Sequence, residues 1–400
     1  MPTLGTRHGT GNRGQVLATQ LARETLTLTR SGAAAAEGLA EMGSRTVTTA
    51  GLTGAAIVLS LTVPISALTS STASVDALST DSARSLAANV MFGCADSRDE
   101  SSQLAMSRAG MAGIVLLGTT PPPKLRYQLR RVASAAPEGR EPLFSSDEEG
   151  GTVQRLGPLI RRLPSAETMG NWQSRRLRRT ALRYGRAMAR LGVRMSLAPV
   201  ADLRVRGSYI DKLDRSFGSE PRSVGRAVIA WSQGLRRGGV VPVVKHWPGH
   251  GHARDTHQFA ASVPAFPKLR REDLVPFRMA FRAGVSAVMV GHVQSRGLTP
   301  PGIPATQSAR ALSLLRRQAG PNAVIMTDSL SMAAASSARG LTLSQAVIES
   351  LSAGADWALI CSGDKLKIMR AVARAIRDGR LDAAQLQQSA ARIAALKESL

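Results

Sequence analysis

Eight short apolar runs, spaced by amphipathic stretches, constrain this chain more than any other feature. They fall at residues 90–94, 113–118, 143–146, 194–200, 240–245, 285–290, 323–327 and 357–361. Each is rich in Val, Ile, Leu or Met with little polar alternation, as expected of strands covered on both faces. The stretches between them, such as 175–190 and 365–377, repeat apolar residues at helical spacing. Eight strand–helix units over about 310 residues predict an α/β fold: a (β/α)8 TIM-type barrel, as a single catalytic domain over residues 84–400. A doubly wound open sheet has the same alternation and is the structural alternative. No Gly-x-Gly-x-x-Gly turn follows the first run, which argues against its dinucleotide-binding version.

The chain ahead of these units is of another kind. Residues 46–75 carry no charge, and within them residues 50–68 form an apolar run behind Arg45 that ends in small residues. A positive flank, an apolar run and a small-residue tail make the pattern of a secretory signal. Pro64 and several hydroxyl residues weaken it as a permanent span, so a cleaved signal and an uncleaved anchor are both open. Residues 1–68 are therefore read as a basic segment with a signal or anchor, Met42 being an alternative start. Residues 69–83, rich in Ser, Thr, Ala and Asp, are read as a linker. The expected location is outside the cytoplasm, secreted or anchored in a cell envelope. The alternative is a buried helix of a soluble N-terminal domain.

Charge narrows the partners. The 400 residues hold 52 Lys+Arg against 28 Asp+Glu, a formal net charge of +24, and all but 7 of the basic residues are arginine. An arginine bias of that kind follows codon preference more readily than a nucleic-acid site. Aromatic residues, at 4%, are too few for a base-stacking surface, so no nucleic acid is expected. Two cysteines, Cys94 and Cys361, cannot build a disulfide framework or a cysteine-rich zinc module.

Chemistry-bearing residues gather where the apolar runs end: Asp147, Asp202, Lys245-His246, His292 and Asp328. In a barrel these are the positions over the mouth. The densest cluster is Lys245-His-Trp-Pro-Gly-His-Gly-His-Ala-Arg-Asp-Thr-His257, which holds four of the six histidines. Its Pro and Gly residues disfavour a helix and predict a loop. Loop histidines beside an aspartate suit proton transfer or metal binding. His250, His252, Asp255 and His257 loosely resemble the His-x-His-x-Asp-His loop of metallo-β-lactamase-like zinc hydrolases, but the spacing is off by one. No metal ligand and no cofactor are assigned.

The same segment resembles the signature of glycoside hydrolase family 3 β-N-acetylhexosaminidases, the NagZ-like enzymes. Asp147-Glu-Glu-Gly-Gly-Thr-Val-Gln-Arg155, Leu197-Ala-Pro-Val-Ala-Asp202, Arg215-Ser-Phe-Gly-Ser-Glu-Pro221, Gly291-His-Val293 and Thr327-Asp-Ser-Leu-Ser-Met332 are similar to further family segments, in the same order. The resemblance implies a retaining exo-β-N-acetylglucosaminidase acting by double displacement on GlcNAc-containing cell-wall glycans. Asp328 would be the nucleophile and His257 the acid and base, with Asp255 orienting the imidazole. Asp147, Arg155, Arg215, Lys245 and His246 would hold the sugar. Three departures stand out: only three residues separate Gly251 from Asp255 where the family has four, Ser329 replaces a common acidic residue, and Thr152 replaces an arginine. Rival readings are a family 3 β-glucosidase-type hydrolase, a glycan-binding barrel of weakened activity, and the zinc hydrolase. The arginine-dense stretch 175–190 reads as a solvated helix face, or more sharply as a dock for anionic wall polymer.

Overall fold

The computed structural model of the chain describes residues 79–400. The signal or anchor expected at residues 1–68, and residues 69–78 of the linker, lie outside them. The first described helix, Thr80–Asn89, is capped by the Ser79 hydroxyl, which accepts from the Ser82 amide. Residues 80–83, which the sequence assigns to the linker, therefore form its first turn. Among the described residues no helix is long and apolar enough to cross a membrane.

The eight apolar runs all become parallel strand positions. They are β1 (Met91–Asp96), β2 (Gly113–Leu117), β3 (Leu143–Ser146), β6 (Met195–Ser196), β7 (Val241–Pro242) continued by β8 (Val244–Trp247), β10 (Ala287–Val290), β12 (Val324–Thr327) and β13 (Ala358–Ile360). Short pairs lie between them: β4 (Glu148–Gly150) with β5 (Val153–Gln154), and β9 (Ala261–Ser262) with β11 (Val293–Gln294). The ladders form two parallel sheets, ordered β13-β1-β2-β3-β6-β7 and β12-β10-β8. The fold is thus α/β with parallel sheets, whereas a single continuous ladder was expected. Two isolated parallel bridges, Val200 to Lys245 and Met326 to Trp357, span the gaps between the sheets. Near the first gap Pro199 has no amide hydrogen to donate, which shortens β6.

Strand side chains sort by period two into two cores. One set, including Phe92, Val115, Leu143, Met195, Val241, Met289, Met326 and Leu359, forms an inner cluster to which all eight strand positions contribute. The alternate set, including Met91, Ile114, Phe144, Val244, Val288 and Ile325, packs outward against the helices. Phe92 stacks on Trp357 with centroids 4.4 Å apart. Cys94 of β1 and Cys361, just past β13, are joined by a disulfide.

The helices confirm the periodicity reading. The 365–377 stretch is the helix Lys365–Arg377, and the arginine-rich one is Ser174–Leu191. The latter buries Leu177, Ala181, Tyr184, Gly185 and Met188, one stripe at helical spacing. It ends at Gly192, whose φ of 93° is the left-handed conformation that glycine adopts without steric penalty.

Candidate active site

A cavity of about 480 Å³ opens at the C-terminal ends of the strands. Asp147 follows β3, Lys245 and His246 belong to β8, and Asp328 follows β12. These four line the cavity, together with Arg155, Arg215 and His257. Asp255 reaches it through His257: its Oδ1 lies 2.7 Å from His257 Nδ1 and accepts the His257 amide at 3.0 Å. The structure therefore brings together all eight residues singled out from the sequence.

One wall is a buried ion network. Lys245 Nζ lies 2.7 Å from both Asp147 Oδ1 and Glu149 Oε1. The Arg215 guanidinium grips Glu149 through Nε and Nη2 at 2.7 and 2.8 Å. Arg155 stands 3.8 Å from the other oxygen of Asp147. Burial alone would neutralise these groups, but mutual pairing wins. Glu149 is held far below the usual carboxylate range, against its burial, by Arg215 and Lys245. Burial also opposes the charge on Lys245, yet Asp147 and Glu149 raise its pKa and keep it an ammonium.

A second layer fixes the histidines. Asp202, fully buried, accepts from His246 Nδ1 at 2.7 Å and from the His250 amide at 2.7 Å. With Nδ1 donating to Asp202, His246 turns Nε2 toward Asp328 Oδ2, 4.0 Å away. His250 sits beside it, its ring 5.5 Å from that of His246. Burial first, then His246, lower the His250 pKa to about 4, so this imidazole is neutral at pH 7. His292 Nε2 donates to the Ser329 carbonyl at 2.8 Å and its Nδ1 pairs with the Thr306 hydroxyl. Asp328 itself accepts the Ser329 amide at 2.7 Å. Burial would raise its pKa, but His246, His292 and that amide outweigh it and bring the value to about 2.

The remaining wall is the loop of residues 248–257. Gly251 presses so close to the segment that follows β6 that a Cβ there would lie 2.2 Å from the Leu203 carbonyl oxygen. The loop's far end is pinned where the Ala333 amide donates to the His257 carbonyl. Its histidines diverge: His250 turns inward to Thr256, His252 faces Asp273 at 3.8 Å, and His257 pairs with Asp255. The four residues of the zinc reading do not converge on one point, and among the described residues no cluster of three or more His, Cys, Asp or Glu side chains is arranged to hold a metal.

Residues 88–396 match the profile described as "Glycosyl hydrolase family 3 N terminal domain". The chain belongs to glycosyl hydrolase family 3. Over 262 residues this family 3 chain is 38% identical to "Beta-hexosaminidase LpqI" of Mycobacterium tuberculosis, covering 63% of the chain and 67% of that relative. The solved structure of M. tuberculosis LpqI superposes with a TM-score of 0.72 at 33% identity, covering 78% of this chain and 93% of that one. A glycosyl hydrolase of the same family from Mycobacterium smegmatis superposes at 0.71 with 34% identity, over 78% and 96% of the two chains.

Within this family 3 pocket, sequence reasoning missed Glu149 and Tyr209. Glu149 stands inside the Asp147–Arg155 segment with nothing local to mark it, though it anchors both Lys245 and Arg215. Arg215 lies past the helix Tyr209–Lys212 and not at a strand end, so its burial beside Lys245, which demands a second carboxylate, is not written in the local sequence. Tyr209 lines the cavity beside His257, with ring centroids 6.2 Å apart. It lies in a segment without strand or loop signature, and nothing in the sequence marked it.

Proposed function

We propose that this family 3 glycoside hydrolase is a retaining exo-β-N-acetylglucosaminidase that cleaves GlcNAc-containing cell-wall glycans. The observation that carries the mechanism is the state of the carboxylates lining the cavity. There are three: Asp147, Glu149 and Asp328. Lys245 and Arg215 engage the first two, leaving Asp328 without a Lys or Arg partner, ionised and open to the cavity. Asp328 is thus the nucleophile that attacks the anomeric carbon to give a glycosyl ester. No second free carboxylate is left to protonate the departing oxygen, so that task falls to His257, oriented by Asp255. The same imidazole then takes a proton from the water that hydrolyses the ester. Asp147, Arg155, Arg215, Lys245 and His246 hold the hydroxyls and orient the ring. The names of the similar proteins, a β-hexosaminidase from M. tuberculosis and a β-N-acetylglucosaminidase from Paenibacillus, support the choice of sugar.

The two sheets are in this reading halves of one closed (β/α)8 barrel, the two isolated bridges being its seams. The inner cluster drawn from all eight strand positions supports closure. Slow hydrogen exchange at the Thr327 amide, which donates to the Trp357 carbonyl across one seam, is expected; exchange at solvent rates would leave an open sheet.

The deciding experiment is a panel of p-nitrophenyl glycosides assayed with and without EDTA. The N-acetyl-β-glucosaminide should be cleaved far faster than the glucoside, at a rate indifferent to chelator. A glucoside preference would move the enzyme to the β-glucosidase type, and loss with EDTA restored by zinc would make it a metallohydrolase. Applied to fractions of the native host, the same assay should find the activity outside the cytoplasm. The Cys94–Cys361 disulfide supports that location, because such bonds persist in oxidising compartments. Activity confined to the cytosol would remove the export proposal.

A further inference from the structure

A second concavity, of about 890 Å³, lies between the helix Ser174–Leu191 and the segment ahead of it. Six exposed arginines line it: Arg161, Arg162, Arg175, Arg176, Arg179 and Arg183, and no carboxylate does. None of the six has an ion-pair partner among the described residues; most described arginines share that trait, so what sets these apart is their number on one concave wall. Arginine abundance alone would scatter such charges over the whole surface. A concave wall holding six cations and no anion is a different arrangement, which concentrates positive potential in one trough.

We infer that this trough binds a linear phosphodiester polymer that carries no bases, a polyol phosphate of the cell envelope. Three features select that chemistry. Along the helix, Arg176, Arg179 and Arg183 succeed one another at about 4.5 to 6 Å, a ladder suited to a charge on every repeat. Guanidinium groups match phosphate oxygens in bidentate fashion. Neither of the two large aromatic rings in the trough stands free for a base: Trp172 is partly buried against the core and carries the Arg176 guanidinium on one face at 3.8 Å, and Tyr184 is buried. That argues against the stacking on which single-stranded nucleic acid binding depends. A concave wall also fits a chain better than it fits a flat lipid surface.

A chain of buried hydrogen bonds ties the floor of the trough to the segment behind the catalytic cavity. The Tyr184 hydroxyl donates to Glu148, the residue between Asp147 and Glu149. Gln154, next to Arg155, donates to Tyr184 and to the Arg161 carbonyl and accepts the Leu163 amide. A polymer in the trough would therefore lie against the segment that carries the sugar-binding groups, holding the enzyme on the wall while it trims glycan. This partner rests on the proposed envelope substrate.

The test uses the full chain with Arg175, Arg176, Arg179 and Arg183 changed together to Gln, which keeps helix propensity, and a second protein with Lys at all four. Binding to a synthetic glycerol-phosphate oligomer, to polyuridylate and to phosphatidylglycerol vesicles is measured across a salt series. The wild type should bind the oligomer best. The Gln protein should bind it at least about tenfold more weakly with a shallower salt slope, and the Lys protein, which keeps the charge but loses the bidentate fork, should fall between the two. Equal oligomer binding by wild type and the Gln protein would overturn the inference, as would equal weakening by Gln and Lys or a preference for polyuridylate or vesicles. Hydrolysis of the small N-acetylglucosaminide, followed in the same samples, should be the same in all three proteins. An enzyme inactive on that substrate would sink the proposed function while the oligomer still decided the trough.

Discussion

The two walls of the catalytic cavity are built on opposite plans. On the strand side, the Lys245 and Glu149 side chains are 3% and 1% exposed, and Lys245 is held by Asp147, 98 residues away. On the loop side, the His257 side chain is 59% exposed and is held by Asp255, two residues away. The strand wall is thus paired across the whole fold, while the acid–base pair of the loop is local in sequence, although the loop itself is anchored by Ala333 and packs on Leu203. Groups that bind and attack must keep their place throughout a double displacement, and long-range buried pairing fixes them. A group that shuttles protons between leaving group and water needs access to solvent, and the exposed end of the loop at His257 supplies it.

The largest effect should come from the centre of the strand wall. Asp328→Asn keeps the shape but removes the charge that attacks, so turnover should fall by about four powers of ten or more. The loss should be the same for good and poor leaving groups, because no route bypasses the nucleophile. A mechanism-based fluoro-sugar should label Asp328 in the wild type, read by peptide mass. Labelling of another residue, or near-normal turnover of the Asn protein, would break the division between the walls.

Changes in the loop should behave differently, with a penalty that depends on the substrate. A sugar alkoxide departs only with a proton, whereas a nitrophenolate needs none. His257→Ala should cut turnover of a natural oligosaccharide by about two to four powers of ten, yet form the glycosyl-enzyme from an aryl glycoside nearly as before. The missing base then slows hydrolysis, so a burst should appear and added azide should relieve it. Asp255→Ala should show a milder version. Equal slowing of good and poor leaving groups would make His257 a binding residue. His252, the alternative within the loop, faces Asp273 and does not line the cavity.

This asymmetry also explains what the sequence could disclose. The strand positions were legible because burial on both faces writes uninterrupted Val, Ile, Leu and Met runs, and the ends of those runs located Asp147, Lys245, His246 and Asp328. The loop was legible by composition, since Pro, Gly and four histidines admit no other structure. Pairings were not. Asp202 stands at a run end like the cavity-lining residues, yet its full burial under His246 and the His250 amide makes it a brace. Glu149 and the Cys94–Cys361 bridge depend on residues brought together from 66 and 267 positions apart, which no local pattern encodes.

The finest test lies within the strand wall, in two adjacent glutamates that are both buried. Glu149 faces Lys245 and Arg215, and its pKa is lowered. Glu148 faces only neutral donors: the hydroxyls of Ser146 and Tyr184 and the amides of Arg155 and Leu156. Burial dominates there and raises its pKa from 4.5 to about 7, the donors only partly opposing it. The signs of their linkage to stability are opposite. For Glu148, the folded value exceeds the unfolded one, so its contribution is full below about pH 4.5 and is lost as pH rises through about 7. Glu148→Gln retains the neutral shape, so wild type should lose at most about 3 kcal/mol relative to this variant over that window. Glu149 contributes above its ordinary value and loses that contribution as pH falls below it. Glu149→Gln strands the buried Arg215 and leaves Lys245 with Asp147 alone, and should cost about 3–5 kcal/mol at pH 7, the deficit shrinking in acid. Urea unfolding at pH 8, 5 and 3.5 reads both, the first two reporting Glu148 and the last Glu149. Turnover should change little in the Glu148 variant, since that side chain does not line the cavity, and should fall in the Glu149 variant with the disordered Lys245 and Arg215. If both variants respond to pH in the same direction, the cations do not discriminate between the two carboxylates, and the buried network is not what fixes the sugar-binding wall.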